Sequence, residues 1–171
     1  MKKLSKKTSN TAISAMCAAL SFVLLFFGTF LGVFDMSAVA LGGIISMFLV
    51  REAGVGFAVL SAAVCTTLSL ILLPDKTVGA LYLMAGGLYP IVKPLCEQLH
   101  GKVLQWTVKV IFFEVTIAVY LLLLRLFMPS EADSFLIPAA VAMGTACFVL
   151  YDILLTRFMI IYEVRFRRKR K

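Results

Sequence analysis

Apolar residues fill the chain in successive runs of roughly 15 to 29 residues, divided by short polar breaks. That is the length a helix needs to cross ~30 Å of hydrocarbon at ~1.5 Å rise per residue. The pattern predicts six membrane-spanning helices over residues 12–34, 36–50, 53–74, 77–99, 103–128 and 134–162. The breaks between them carry turn chemistry: Phe34-Asp35, Arg51-Glu52, Pro74-Asp75-Lys76, His100-Gly101-Lys102 and Pro129-Ser130-Glu131-Ala132-Asp133. A basic segment, residues 1–11, precedes the predicted single six-helix domain of residues 12–162, and a basic tail, residues 163–171, follows it. The first apolar run is far longer than a signal-peptide core and is read as a retained helix.

Composition agrees with the pattern. Hydrophobic residues make up 61% of the 171 residues, and the mean hydropathy is +0.99. Too little polar surface remains for a soluble globule, and the class implied is an all-α integral membrane protein. The net charge of +8 would suggest nucleic acid in a soluble protein. Here topology accounts for it, and no nucleic-acid partner is expected. Lys2, Lys3, Lys6 and Lys7 lie at one end, and Arg165, Arg167, Arg168, Lys169, Arg170 and Lys171 at the other. Basic flanks stay in the cytoplasm, so both termini are expected there, which requires an even number of crossings. The tail then rests on the anionic headgroups of the lipid bilayer.

Catalytic and metal chemistry finds little to work with. Cys17, Cys65, Cys96 and Cys147 are isolated inside predicted spans, no CxxC occurs, and His100 is the one histidine. Neither a disulfide framework nor a metal site is predicted, no cofactor is implied, and no nucleophile or phosphate-loop motif marks an enzyme.

Polarity inside the spans is uneven. Spans one to three are rich in small residues and carry no charge away from their ends, whereas spans four to six carry ionisable groups that must face protein or water. At ~100° per residue, Tyr82, Gly86, Tyr89, Lys93 and Glu97 share one side of span four. Thr107, Glu114, Ala118, Leu121 and Arg125 share a side of span five, and Thr145, Phe148, Asp152, Thr156 and Glu163 a side of span six. Glu114 and Asp152 fall near the midplane, with Lys93, Lys109 and Arg157 nearer the cytoplasm. Lys93 facing Asp152 or Glu114 is therefore the expected intramembrane ion pair, a packing clamp or a gate.

Span four also contains GGLYPIVKPL, residues 86–95. Pro90 cannot donate to the carbonyl of Gly86, nor Pro94 to that of Pro90, so a weakened, kinked turn is predicted there. Converging polar stripes suit a solute cavity in the second half of the chain. Its candidate ligand-binding residues are Asp75, Lys76, Tyr82, Tyr89, Tyr120 and Arg125, with tyrosines to stack a planar compound and Arg125 to hold an anionic group.

The basic N-terminus, the alanine-rich first helix ISAMCAALSFVLL, the acidic turn with FDMSAVALGGIIS, the third helix from EAGVGFAVLSAAVCTTLSLIL, and six helices in under 200 residues carry a resemblance. The chain resembles the substrate-binding membrane subunits (S components) of energy-coupling-factor vitamin transporters. REAGVG lacks the proline that members often carry between helices two and three. The resemblance implies a bacterial cytoplasmic-membrane protein that binds a vitamin or similar micronutrient in an outward pocket. It also implies partners: a transmembrane coupling protein and cytoplasmic ATPases, docked on the small-residue face of the first helix at Thr11, Ala15 and Ala19. In size, helix count and hydropathy the chain is also similar to the rod-shape-determining membrane protein D family, which implies a non-transport scaffold instead.

Overall fold

Apolar runs surrounded by hydrocarbon must satisfy every backbone N–H and C=O internally, and a helix does so within one segment. The computed structural model describes residues 2–32, 34–97, 101–127 and 136–167. Within these it describes the side chains other than those of residues 2–6, 102, 120, 121, 123–127, 136–140, 166 and 167. Among the described residues the chain is all-helical and has no strand. In order come α1 (Lys2–Leu31), α2 (Asp35–Glu52), α3 (Val55–Leu72), α4 (Lys76–Leu81), a π-helical segment (Tyr82–Leu88), α5 (Tyr89–Cys96), α6 (Lys102–Phe127), α7 (Leu136–Tyr162) and a π-helical end (Glu163–Arg167). Among the described residues, four stretches are long and apolar enough to cross a membrane: Lys7–Leu31, Val55–Leu72, Lys76–Cys96 and Val141–Arg165. α2 has 18 residues but includes Asp35, Arg51 and Glu52.

The chain divides into two compact units, one up to Pro94 and one from Leu95 onward. In the first unit α1 turns Ser14, Ala18, Ser21, Leu25 and Gly28 inward, a spacing of alternating fours and threes that keeps one narrow seam against the neighbouring helices. α2 and α3 bury small residues: Ala38, Gly42, Gly43 and Ser46 on one, Ala58, Ser61, Ala62 and Cys65 on the other. Small side chains let the backbones approach, the main route to close packing where lipid and protein are equally apolar. A Cβ at Gly28 would lie 2.6 Å from the Cβ of Ala38, so α1 and α2 nearly touch there. Ser14 Oγ donates across to the carbonyl of Phe57 at 3.2 Å.

The turns follow local chemistry. Gly54, between α2 and α3, has φ +101°, which favours glycine, and its N–H donates to the carbonyl of Leu49 at 3.2 Å. Asp75 is the N-cap of α4, and its Oδ1 accepts from the Thr77 N–H at 2.9 Å and the Thr77 hydroxyl at 2.6 Å.

The second unit is built on α6 and α7. Lys109 meets Asp152, Phe113 stacks on Phe148, and Ile117 lies against Gly144. Each step of one helical turn along α6 is matched by a turn back along α7, so the two helices are antiparallel and in one continuous register.

Candidate functional site

The proline-rich segment of span four does not break. Pro90 offers no N–H, and in a regular α-helix its ring presses on the carbonyl of Gly86. The residues ahead of it, Tyr82–Leu88, widen into π-helix, and the N–H of Tyr89 donates to the carbonyl of Met84, five residues back. The predicted kink is thus a π-helical stretch that carries the chain past Pro90 with its hydrogen bonding shifted, a device recurrent at functional sites. Gly86 has a second reason to be glycine. A Cβ there would lie 2.6 Å from Tyr82 Cδ2 and 3.0 Å from the carbonyl oxygen of Val39.

Tyr82 occupies the niche that results. Its ring also lies against Gly42 of α2, where a Cβ would come within 2.7 Å of Cε2, and its hydroxyl is 3.4 Å from Ser46 Oγ. Leu25, Ala38, Val39, Cys65 and Val78 complete the surrounding cluster. Tyr82 is 1% exposed and Tyr89 2%. Both tyrosines, expected to contact a solute, are interior residues of the first unit; a phenol at that depth is accommodated because Ser46 faces its hydroxyl. Pro90 and Lys93 are also fully buried in this unit, and Pro94 is half-buried. Asp75 is occupied as a helix cap, and Lys76 is exposed beside it. The side chains of Tyr120 and Arg125 lie outside the described residues, as do Glu131 and Asp133.

In the second unit Asp152 is held by Lys109. Lys109 Nζ lies 3.0 Å from Asp152 Oδ2 and 3.2 Å from Glu97 Oε1, and the side chains of Lys109 and Asp152 are 7% and 3% exposed. Trp106, one turn back, puts its ring centroid 5.6 Å from the same ammonium. Gln105 Nε2 donates to the backbone carbonyl of Glu97 at 3.2 Å, so the residue after α5 is tied twice to α6. Depth along span five sets Lys109 toward the cytoplasm but does not by itself pair it with Asp152. The α6–α7 register singles it out, because the residue opposite Asp152 is Lys109.

Glu114 is placed differently. It is exposed on α6, and its Oε1 accepts from Thr145 Oγ1 of α7 at 3.3 Å. Thr145 and Glu114, assigned to the facing stripes of spans five and six, are therefore brought together.

On α1 the small residues divide between two faces. Ser14, Ala18 and Ser21 are buried, while Thr11, Ala15 and Ala19 are exposed. Lys7, Thr8, Thr11, Ala12 and Ala15 line a shallow groove at this end of the helix. The four cysteines are free thiols, and among the described residues no group of three or more histidine, cysteine or acidic side chains is placed to hold a metal ion.

No family model, curated protein or solved structure matches the chain.

Proposed function

We propose that the chain is the substrate-binding membrane subunit of an energy-coupling-factor-type importer for a vitamin or similar micronutrient. It crosses the bacterial cytoplasmic membrane six times with both termini in the cytoplasm. The observation that carries the reading is the division of α1 into two small-residue faces. The Ser14, Ala18 and Ser21 face serves the protein's own packing, while Thr11, Ala15 and Ala19 stay outside it. A helix face without atoms beyond Cβ admits another helix closely, and this one is available to a separate coupling subunit. ATP would be hydrolysed by that subunit's ATPases, and the solute would be held by polar groups on α6 and α7.

Co-purification tests this. The unmodified chain, extracted gently from its native membrane, is expected to bring down a transmembrane coupling protein with its ATPases. Ala15→Trp and Ala19→Trp should abolish that association while the subunit remains folded, because the indole holds the helices apart. Recovery of cell-wall synthesis enzymes in place of ATPases would overturn the transport reading and favour a scaffold.

A further inference from the structure

We propose that Glu114 and Thr145 form a solute subsite for a planar cationic heterocycle. The inference rests on the transport reading above and names the chemical class of its solute.

Glu114 sits at the middle of α6 (Lys102–Phe127), about 18 Å from either end at ~1.5 Å per residue, and it is exposed. A carboxyl group at that depth calls for a donor or a cation to face it. Its partner in the structure supplies only part of one donor. Thr145 Oγ1 has a single proton, and it lies 3.3 Å from Glu114 Oε1 but 2.9 Å from the carbonyl of Val141. The nearest lysine toward the start of α6, Lys109, is engaged by Asp152 and Glu97. Glu114 therefore retains acceptor capacity beyond the Thr145 hydroxyl, and its side chain is exposed.

The same helix pair carries an aromatic stack one residue along. Phe113 precedes Glu114 in sequence and is half-buried, and its ring stacks on Phe148 with centroids 4.1 Å apart and planes inclined at 18°. Phe148 behind it fixes the orientation of the Phe113 ring. A carboxyl acceptor and a hydroxyl in contact, with a half-buried aromatic ring on the preceding residue of α6, suit a flat ring that carries a positive charge or nitrogen-bound hydrogens. An anionic solute would be repelled by Glu114, and a neutral hydrocarbon would leave the carboxyl unanswered.

Equilibrium dialysis of the full chain in detergent tests this with three probes of similar shape: 1-methylquinolinium, its neutral isostere 1-methylnaphthalene, and anionic quinoline-2-carboxylate. The cation should bind saturably, once per chain, and at least tenfold more tightly than the other two. Glu114→Gln should remove the preference, Glu114→Asp should keep it, and Thr145→Val should weaken cation binding several-fold, with a thermal melt for each variant to establish folding. The comparison of probes on the unmodified chain stands even if Glu114→Gln fails to fold. Equal binding of cation and isostere, no cation binding, or a folded Glu114→Gln that keeps the preference would each overturn the subsite. So would cross-linking of Glu114 to a basic residue of a partner helix. If ATPases co-purify with the chain but no charge preference is found, the subsite alone falls; if no ATPases co-purify, the transport reading falls.

Discussion

Lys109 and Asp152 are joined across the α6–α7 pair by a 3.0 Å contact between Nζ and Oδ2, with both side chains almost fully buried. The same ammonium holds Glu97 at 3.2 Å, so one cation secures two carboxylates from different parts of the second unit. Removing a member of such a cluster costs more than the bond itself, because the desolvation of the charges left behind is no longer offset by that contact.

Lys109→Met should accordingly destabilise this unit by on the order of 3 kcal/mol, since it removes the ammonium that contacts both carboxylates. Asp152→Asn should cost less, because Lys109 keeps Glu97. Thermal melts in detergent check this. The double variant Lys109→Met/Asp152→Asn should recover part of the loss of the first, and strict additivity would show that the two residues are not energetically coupled.

The Tyr82 niche predicts a steric effect. Gly42→Ala would place a methyl 2.7 Å from the ring and should cost roughly 1–3 kcal/mol through overpacking. Combined with Tyr82→Leu, the same alanine should be largely tolerated. Gly86→Ala should resist such rescue, because its methyl also meets the backbone oxygen of Val39 at 3.0 Å. Measured melting temperatures for the singles and doubles separate the two cases.

Alanines three residues apart on α1 should behave oppositely. Ala18 is 5% exposed and lies in the seam with its neighbours, so Ala18→Trp should unfold the first unit. Ala15 is exposed, so Ala15→Trp should leave the melting temperature of the isolated chain within the equivalent of about 0.5 kcal/mol. Loss of folding in Ala15→Trp would mean that this face packs internally.

The proposed topology is checked by labelling. In a background without the native cysteines, single cysteines at Lys76 and Ser130 should react with an impermeant thiol reagent added outside intact cells, and a cysteine at Lys102 should not. Outside labelling at Lys102 would refute the six-crossing arrangement.

Hydropathy marked the chain as helical, because a segment that cannot hydrogen-bond to its surroundings must be helical wherever it is long and apolar, and among the described residues four stretches meet that condition. The break at Pro74-Asp75-Lys76 is legible locally, and Asp75 caps α4 there. The turn between α2 and α3 falls at Gly54, which the hydropathy pattern assigns to span three, because hydropathy does not register the positive φ that glycine permits. Pro90 marked a disturbance in span four, but not that Tyr82–Leu88 would answer it by widening, since Gly42 and Gly86 make room for the Tyr82 ring only in the assembled unit. Faces were decided by tertiary structure throughout. In water the buried side of a helix is its apolar side; here lipid and protein interior are equally apolar, so Ala15 and Ala18 look alike until packing exposes one and buries the other. Asp152 was recognisable as a residue in need of a cation, but Lys109 was selected by the antiparallel register of α6 and α7, a relation between segments that neither segment encodes by itself.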